Sequence, residues 1–201
     1  MAKEGFYFVL PVVLISLAFF IAHLLLPAAI FALFALIVAF FFRDPERKPT
    51  EKDEALVAPA DGRVMSVEKM GDGWRISIFM SPLDVHVNRS PCSGKILEME
   101  HRGGGHLPAY KRESEENEKV IFHLNCSPWK IKLVLIAGIL ARRIKPYRKS
   151  GDRVRMGERI GIILLGSRAD LYFPEQFQPA VAEGERVKAG VSILARRIDE
   201  D

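Results

Sequence analysis

The chain has 201 residues, with 29 Lys and Arg against 25 Asp and Glu, a net charge of +4, and 49% hydrophobic residues. This excludes a disordered chain, a collagen-like repeat and a disulfide-dense scaffold, since two Cys close at most one bridge. The apolar residues are concentrated: Phe6–Phe42 is 37 residues without one Asp, Glu, Lys or Arg, and nine of the 13 Phe lie there. Residues 43–201 carry the whole +4.

A membrane-spanning helix needs about 20 apolar residues, so 37 suit two short spans better than one. The only internal break is His23–Pro27. Pro27 lacks an N–H and disfavours helical geometry in Leu26. The pattern predicts helices over Phe6–Ala22 and Ala28–Phe42 in a tight hairpin. The alternatives are one long kinked helix, or a re-entrant wedge entering and leaving one leaflet. The stretch is too long for a signal-peptide core. A hairpin puts Lys3 on the same side as Arg43, Arg47 and Lys48. The positive-inside rule then places both ends, and the domain that follows, in the cytoplasm at the cell membrane. His23 reads as a polar residue at the turn rather than a functional group inside the bilayer.

Cys92 and Cys126 are expected to stay reduced in the cytoplasm. Neither lies in a CxxC or CxxH, so no zinc site is expected. Basic residues are mixed with acids and form no aromatic-interleaved stripe, so no nucleic-acid partner is expected. A mild basic excess beside a membrane segment fits anionic lipid headgroups.

Residues 43–56 are charged, contain Pro45 and Pro49, and read as a linker. From residue 57 onward short Val/Ile-rich runs alternate with Gly, Pro, Asn and Asp. Strands are predicted over Gly62–Glu68, Trp74–Met80, Val85–Asn88, Lys95–Glu100, Lys119–Asn125 and Trp129–Ala141. Three more fall at Arg159–Leu165, Ala169–Phe173 and Val191–Ala195. His101–Asn117, Gly-rich and then charged, reads as a long loop. The fold class is mostly β, a β-sandwich or barrel-like domain over 57–201, preceded by an apolar helical hairpin over 1–42.

A weak repeat is visible. Gly151-Asp-Arg-Val-Arg-Met-Gly157 matches Gly184-Glu-Arg-Val-Lys-Ala-Gly190. Two glycines around one inward apolar residue suit a tight turn feeding a strand. Such turns are similar to those of biotinyl and lipoyl carriers. Lys188 lies inside the motif rather than at a hairpin tip, which argues against a carrier.

Six further segments stand in order: FFRDPER (Phe41–Arg47), APADGRV (Ala58–Val64), MSPLDVHVNRSP (Met80–Pro91), GGGHLPAYKRESEENE (Gly103–Glu118), IAGILARRI (Ile136–Ile144) and GERIGIILLGSRADLYFP (Gly157–Pro174). In these the chain resembles the phosphatidylserine decarboxylase proenzymes, in particular their short form, which includes archaeal members acting on archaetidylserine.

The resemblance implies a self-processing enzyme cut at Gly166–Ser167 into 1–166 and 167–201, which stay together as a heterodimer. Ser167 then becomes a pyruvoyl group. Its ketone is expected to form a Schiff base with the serine headgroup of a membrane phospholipid and to accept the electrons left by carbon dioxide, with no metal. His86 is the implied acid–base residue, and its imidazole titrates near neutral pH. Asp61 is implied as the carboxylate that orients it. The longer bacterial form has a second His where this chain has Arg89, and a Thr where it has Arg168. His106 is therefore a second candidate acid–base or pocket residue. Arg89 and Arg168 are candidates for the lipid phosphate, since guanidinium forks suit phosphate oxygens. Two other functions stay in view. One is a membrane-anchored β-sandwich adaptor without activity; the other is a pyruvoyl enzyme acting on a soluble amino acid. Oligomeric state and the ester or ether nature of the lipid are left open.

Overall fold

A computed structural model describes residues 1–49, 55–105, 107, 116–138, 144–163 and 166–198. The chain divides into two compact units, Met1–Glu46 and Arg47–Asp201. Strands take 45% of the described residues and helices 21%, so the class is mostly β with an N-terminal apolar helix pair, as expected.

The first unit is a hairpin of α1 (Lys3–Ile21) and α2 (Leu25–Phe41). Its halves are joined by rings, with Phe8 stacked on Phe42 at 5.3 Å and Phe19 on Phe31 at 5.5 Å. Ala2 N–H donates to Phe42 O at 2.8 Å, and the Ser16 hydroxyl to Ala28 O at 2.8 Å. A Cβ on Gly5 would sit 2.5 Å from Phe42 Cβ, so close approach there needs glycine. The single long kinked helix is thereby excluded. The turn falls one step earlier than Pro27 suggested, at Ala22–Leu24, where His23 takes a left-handed φ of 58°. Pro27 opens α2 instead of breaking it, because the first turn of a helix has no use for that N–H. Phe6, Tyr7, Leu10, Phe20, Leu25 and Leu36 are all exposed. α1 is long and apolar enough to cross a membrane, and α2, at 17 residues, is at the lower limit.

The second unit contains β1 (Ala55–Val57), β2 (Gly62–Met70), β3 (Gly73–Met80), β4 (Val87–Arg89), β5 (Gly94–Arg102), β6 (Lys119–Cys126) and β7 (Trp129–Ala137). It continues with β8 (Ile144–Pro146), β9 (Arg153–Val154), β10 (Arg159–Ile163), β11 (Ser167–Pro174), β12 (Phe177–Pro179), β13 (Arg186–Val187) and β14 (Ile193–Arg197). Eight strands form one sheet in the order β13-β2-β3-β11-β7-β6-β5-β9. Two three-stranded sheets, β1-β14-β12 and β4-β10-β8, complete the unit. β1 begins inside the segment read as linker.

This order is a palindrome of two equivalent halves. The outer half is β1–β3 plus β11–β14; the inner half, β4–β10, is inserted within it. β1, β2, β3, β11, β12, β13 and β14 correspond in turn to β4, β5, β6, β7, β8, β9 and β10. The sequence trace is Ala58-Pro-Ala-Asp-Gly-Arg-Val64 against Ser90-Pro-Cys-Ser-Gly-Lys-Ile96, besides the paired glycine turns. The hydrogen bonds repeat too. Gly190 N–H donates to Ala58 O at 2.7 Å, and Gly157 N–H to Ser90 O at 2.8 Å. Val64 N–H reaches Glu185 O at 2.9 Å, and Ile96 N–H reaches Asp152 O at 2.9 Å. The pseudo-twofold runs between β11 and β7 at the Leu171–Leu133 pair, where both side chains are fully buried.

In the inner half, β6 and β7 close a tight hairpin at Cys126–Trp129. The equivalent pair of the outer half, Met80 opposite Ser167, is opened to admit the inner half. The chain therefore passes between halves only at residues 81–86 and 164–166. Cys92 and Cys126 form a disulfide with Cα atoms 6.3 Å apart, within bonding range. The expected reduced pair is thus corrected. The fold sets the Pro91-Cys92 turn against the end of β6, a proximity that spacing in sequence does not reveal.

Candidate active site

Gly166 and Ser167 lie at the second of these crossings. Gly166 has φ of 67°, a left-handed conformation natural to glycine. Ser167 is the first residue of β11 and is fully buried. It is paired on both sides, with Met80 of β3 and Ala137 of β7. β10 ends at Ile163 and β11 begins at Ser167, so the serine lies inside the second strand; Leu164 and Leu165, the end of the predicted first strand, lie outside the described residues. Its hydroxyl donates to Met80 Sδ at 3.2 Å. Met80 also receives Asn88 Nδ2 at 3.6 Å. Conversion of Ser167 to a pyruvoyl group turns a CH2OH into a methyl. A thioether is a weak acceptor, so loss of the hydroxyl orphans no strong polar group, and on the side-chain side the surroundings fit the group.

His86 lies at the first crossing and is 3% exposed. Its carbonyl accepts Ile163 N–H at 3.2 Å, which ties the two crossings together. Asp84 accepts Ser81 N–H at 2.8 Å and closes the turn before His86. His106 lies outside the described residues.

Asp61 is held differently from expectation. Its carboxylate takes a fork from Arg47, with Nη2 to Oδ2 at 2.8 Å and Nη1 to Oδ1. Oδ1 also accepts Ala189 N–H at 2.8 Å. Among the described residues no Asp61 hydrogen bond goes to His86. The equivalent residue of the inner half, Ser93, accepts Met156 N–H at 3.0 Å in the same way. Asp61 thus accepts the same turn N–H as its counterpart, and the Arg47 fork is its own addition.

Neither arginine is aimed at solvent. Arg89 is 4% exposed and donates from Nη1 to Gly157 O at 2.9 Å. A Cβ on Gly190 would lie 2.8 Å from Arg89 Cδ, so the paired glycine turns close around this side chain. Arg168 is 4% exposed and grips Asp170, with Nε to Oδ1 at 2.6 Å and Nη2 to Oδ2 at 2.7 Å. Its fork is occupied by a carboxylate.

Three residues were not singled out by sequence: Met80, Asn88 and Asn117. Asn117 is fully buried. Its Oδ1 accepts Leu107 N–H at 2.7 Å, while Nδ2 donates to Leu107 O and to Ala137 O, each at 2.7 Å. It thus pins the end of the Gly103–Leu107 segment to the strand partner of Ser167. A cavity of about 260 Å³ lies beside the disulfide, lined by Cys92, Cys126, Trp129 and Phe177. Trp129 and Ala137 are opposite ends of β7, so this cavity is remote from Ser167.

The site is thus a Gly-Ser junction in a mostly β domain, with Gly166 left-handed and Ser167 buried at the start of β11. The family model described as Phosphatidylserine decarboxylase matches residues 34–195. A phosphatidylserine decarboxylase proenzyme of Streptomyces griseus is 49% identical over 163 residues, 81% of this chain and 73% of that protein. One of Streptomyces coelicolor is 48% identical, covering 81% and 72%. A Methanosarcina barkeri protein, provisionally named archaetidylserine decarboxylase proenzyme, is 44% identical over 158 residues, covering 79% and 76%. The chain belongs to the phosphatidylserine decarboxylase family, and so to the self-processing decarboxylases.

Proposed function

We propose that the chain cuts itself at Gly166–Ser167 and then removes carbon dioxide from the serine headgroup of a phospholipid. The observation that carries this reading is Gly166 in left-handed geometry directly before a fully buried Ser167 at the start of β11. Ser167 Oγ attacks the Gly166 carbonyl carbon, the peptide C–N bond breaks, and an ester forms. Loss of the Ser167 α-proton then breaks the Cβ–Oγ bond. This leaves a carboxylate on Gly166 and dehydroalanine at 167. Water releases ammonia and gives the pyruvoyl group.

The pyruvoyl ketone, once made, supplies the electron sink for decarboxylation. Everything else falls to the chain's own residues. The β3 and β7 ladders hold position 167, as a near-attack geometry requires. His86 is the proton carrier, supported by its burial and by its tie to Ile163. Asp61 and Arg89 brace the turns. The helix pair holds the catalytic unit at the membrane. Lys3 and Arg43 support a cytoplasmic placement. The disulfide sets a condition on it, since such bonds persist in oxidising compartments and in the cytosol of some hyperthermophiles. The chemistry at the headgroup is the same for an ester or an ether lipid.

Intact mass of the purified protein tests the reading. Two chains of 166 and 35 residues are expected, the shorter bearing pyruvoyl in place of serine. Ser167→Ala should stay whole and inactive. A wild-type protein that remains one chain with an ordinary Ser167 sinks the proposal and favours a non-enzymatic anchor. Release of carbon dioxide from free serine at the rate seen with phosphatidylserine micelles would reassign the substrate.

A further inference from the structure

Asn88 is the middle residue of β4, opposite Gly161 of β10, and is fully buried. Its Nδ2 faces two acceptors, Pro59 O at 3.5 Å and Met80 Sδ at 3.6 Å. A carbonyl oxygen can only accept, so this fixes which end of the amide is which. Among the described residues, Oδ1 has no hydrogen-bond partner. Burying an unpaired amide carbonyl carries a desolvation penalty that an apolar residue of the same size would avoid. Such a group in a native protein calls for a partner, whether an ordered water, a ligand or a reacting group.

The position says which ligand. The Asn88 amide nitrogen and the Ser167 hydroxyl contact the same sulfur, Met80 Sδ, at 3.6 and 3.2 Å. The side chain that carries the orphan is therefore one thioether away from the residue that becomes the amine-reactive ketone. An acceptor needs a donor. In a serine phospholipid headgroup at neutral pH, phosphate and carboxylate only accept, and the amine alone donates. In the uncut chain the Ser167 hydroxyl gives its proton to Met80, and Oδ1 stands idle.

We propose that Asn88 Oδ1 accepts a hydrogen bond from the amine nitrogen of the lipid headgroup and takes no part in self-cleavage. This rests on the decarboxylase reading above. The amide would then be a substrate-binding group, idle in the precursor and engaged in the mature enzyme.

The test uses Asn88→Leu and Asn88→Asp in the full chain. Three quantities are read: extent of cleavage by intact mass, affinity for phosphatidylethanolamine in mixed micelles, and kcat/KM on phosphatidylserine. Phosphatidylglycerol, which lacks the amine, is the control lipid. Asn88→Leu should cleave fully, lose about tenfold in ethanolamine-lipid affinity and in kcat/KM, and bind the glycerol lipid as before. Asn88→Asp keeps an acceptor and should stay close to wild type. The proposal is overturned if the leucine variant keeps its preference for the amine lipid. It is also overturned if both lipids weaken equally, or if the folded variant stays uncut. Should the leucine variant not fold, a fully cleaved aspartate variant that has lost the preference overturns it as well. A wild-type chain that stays whole refutes the self-cleavage reading itself, and is told apart by that mass.

Discussion

Replacing Gly166 tests the geometry of the cut directly. Its φ of 67° is the left-handed region, where a side chain costs about 1–2 kcal/mol. Nothing lies within 4 Å of a Cβ built there, so alanine meets no clash and the whole cost is backbone. Ser167 cannot drift, because the ladders to Met80 and Ala137 hold it from both sides. The strained residue has two outlets. If it stays left-handed, the precursor loses stability by that amount, roughly 2–8 °C in Tm. If it relaxes, the Gly166 carbonyl turns away from Oγ, and cleavage slows by a factor of about 5–30. Asn tolerates this region and should be mildest, and Val, β-branched, the most severe. The assay is a cleavage time course by gel on freshly made Gly166→Asn, →Ala and →Val chains, with Tm measured on each in a Ser167→Ala background. Wild-type rates and Tm for all three, or an Asn variant slower than Ala, would refute the reasoning.

Arg168→Met should destabilise the protein by about 3–5 kcal/mol, because it leaves Asp170 buried and unpaired. Adding Asp170→Leu should recover part of the loss, as urea unfolding would report. If Arg168 instead served only the lipid phosphate, KM would rise with no change in unfolding. Replacing both cysteines by Ala should cost about 4 kcal/mol, given the 34-residue separation they close; an unshifted Tm would mean the bridge is not formed in the protein assayed. Both cysteines lie in the 1–166 fragment, so the two fragments should separate on a denaturing gel without reductant. Asn117→Ala strips two backbone carbonyls of their donor, and should slow cleavage and lower Tm together; slowed cleavage at unchanged Tm would contradict its role as a fastener.

The nine strands predicted from alternation and Val/Ile content all have a counterpart; eight have five residues or more, long enough to show a period, and the ninth, Val85–Asn88, meets only the three-residue β4. The five others, such as β9 and β13, have two or three residues, too few to display one. β9 and β13 each follow a glycine turn, at Gly151 and Gly184. The repeat was legible at 151–157 and 184–190. Its first part, Ala58–Val64 against Ser90–Ile96, was harder to see, since only Pro and Gly are identical and the two copies lie on either side of a nested segment. Ser167 was visible as a Gly-Ser break after an apolar strand. The partners of Asp61 were not legible, because an aspartate before glycine looks alike whatever it bonds; the Arg47 fork and the Ala189 N–H appear only in the structure. Met80 and Asn88 carried no signal, as a methionine and an asparagine in strands are ordinary until their neighbours across the sheet are known.

The nesting of one half inside the other has a consequence for the cut molecule. The proposed cleavage at 166 would sever one of the two tethers between halves and divide the outer half between two polypeptides. β1–β3 stay on the long fragment, while β11–β14 leave on the short one. Of the four strands on the short fragment, only β12 and β14 pair with each other; β11 and β13 find their partners on the long one. The 35-residue piece thus has almost no fold of its own, and the mature enzyme is a complemented protein by construction. A synthetic peptide of residues 167–201 with a ketoacyl N-terminus, mixed with refolding 1–166, should rebuild the catalyst in trans.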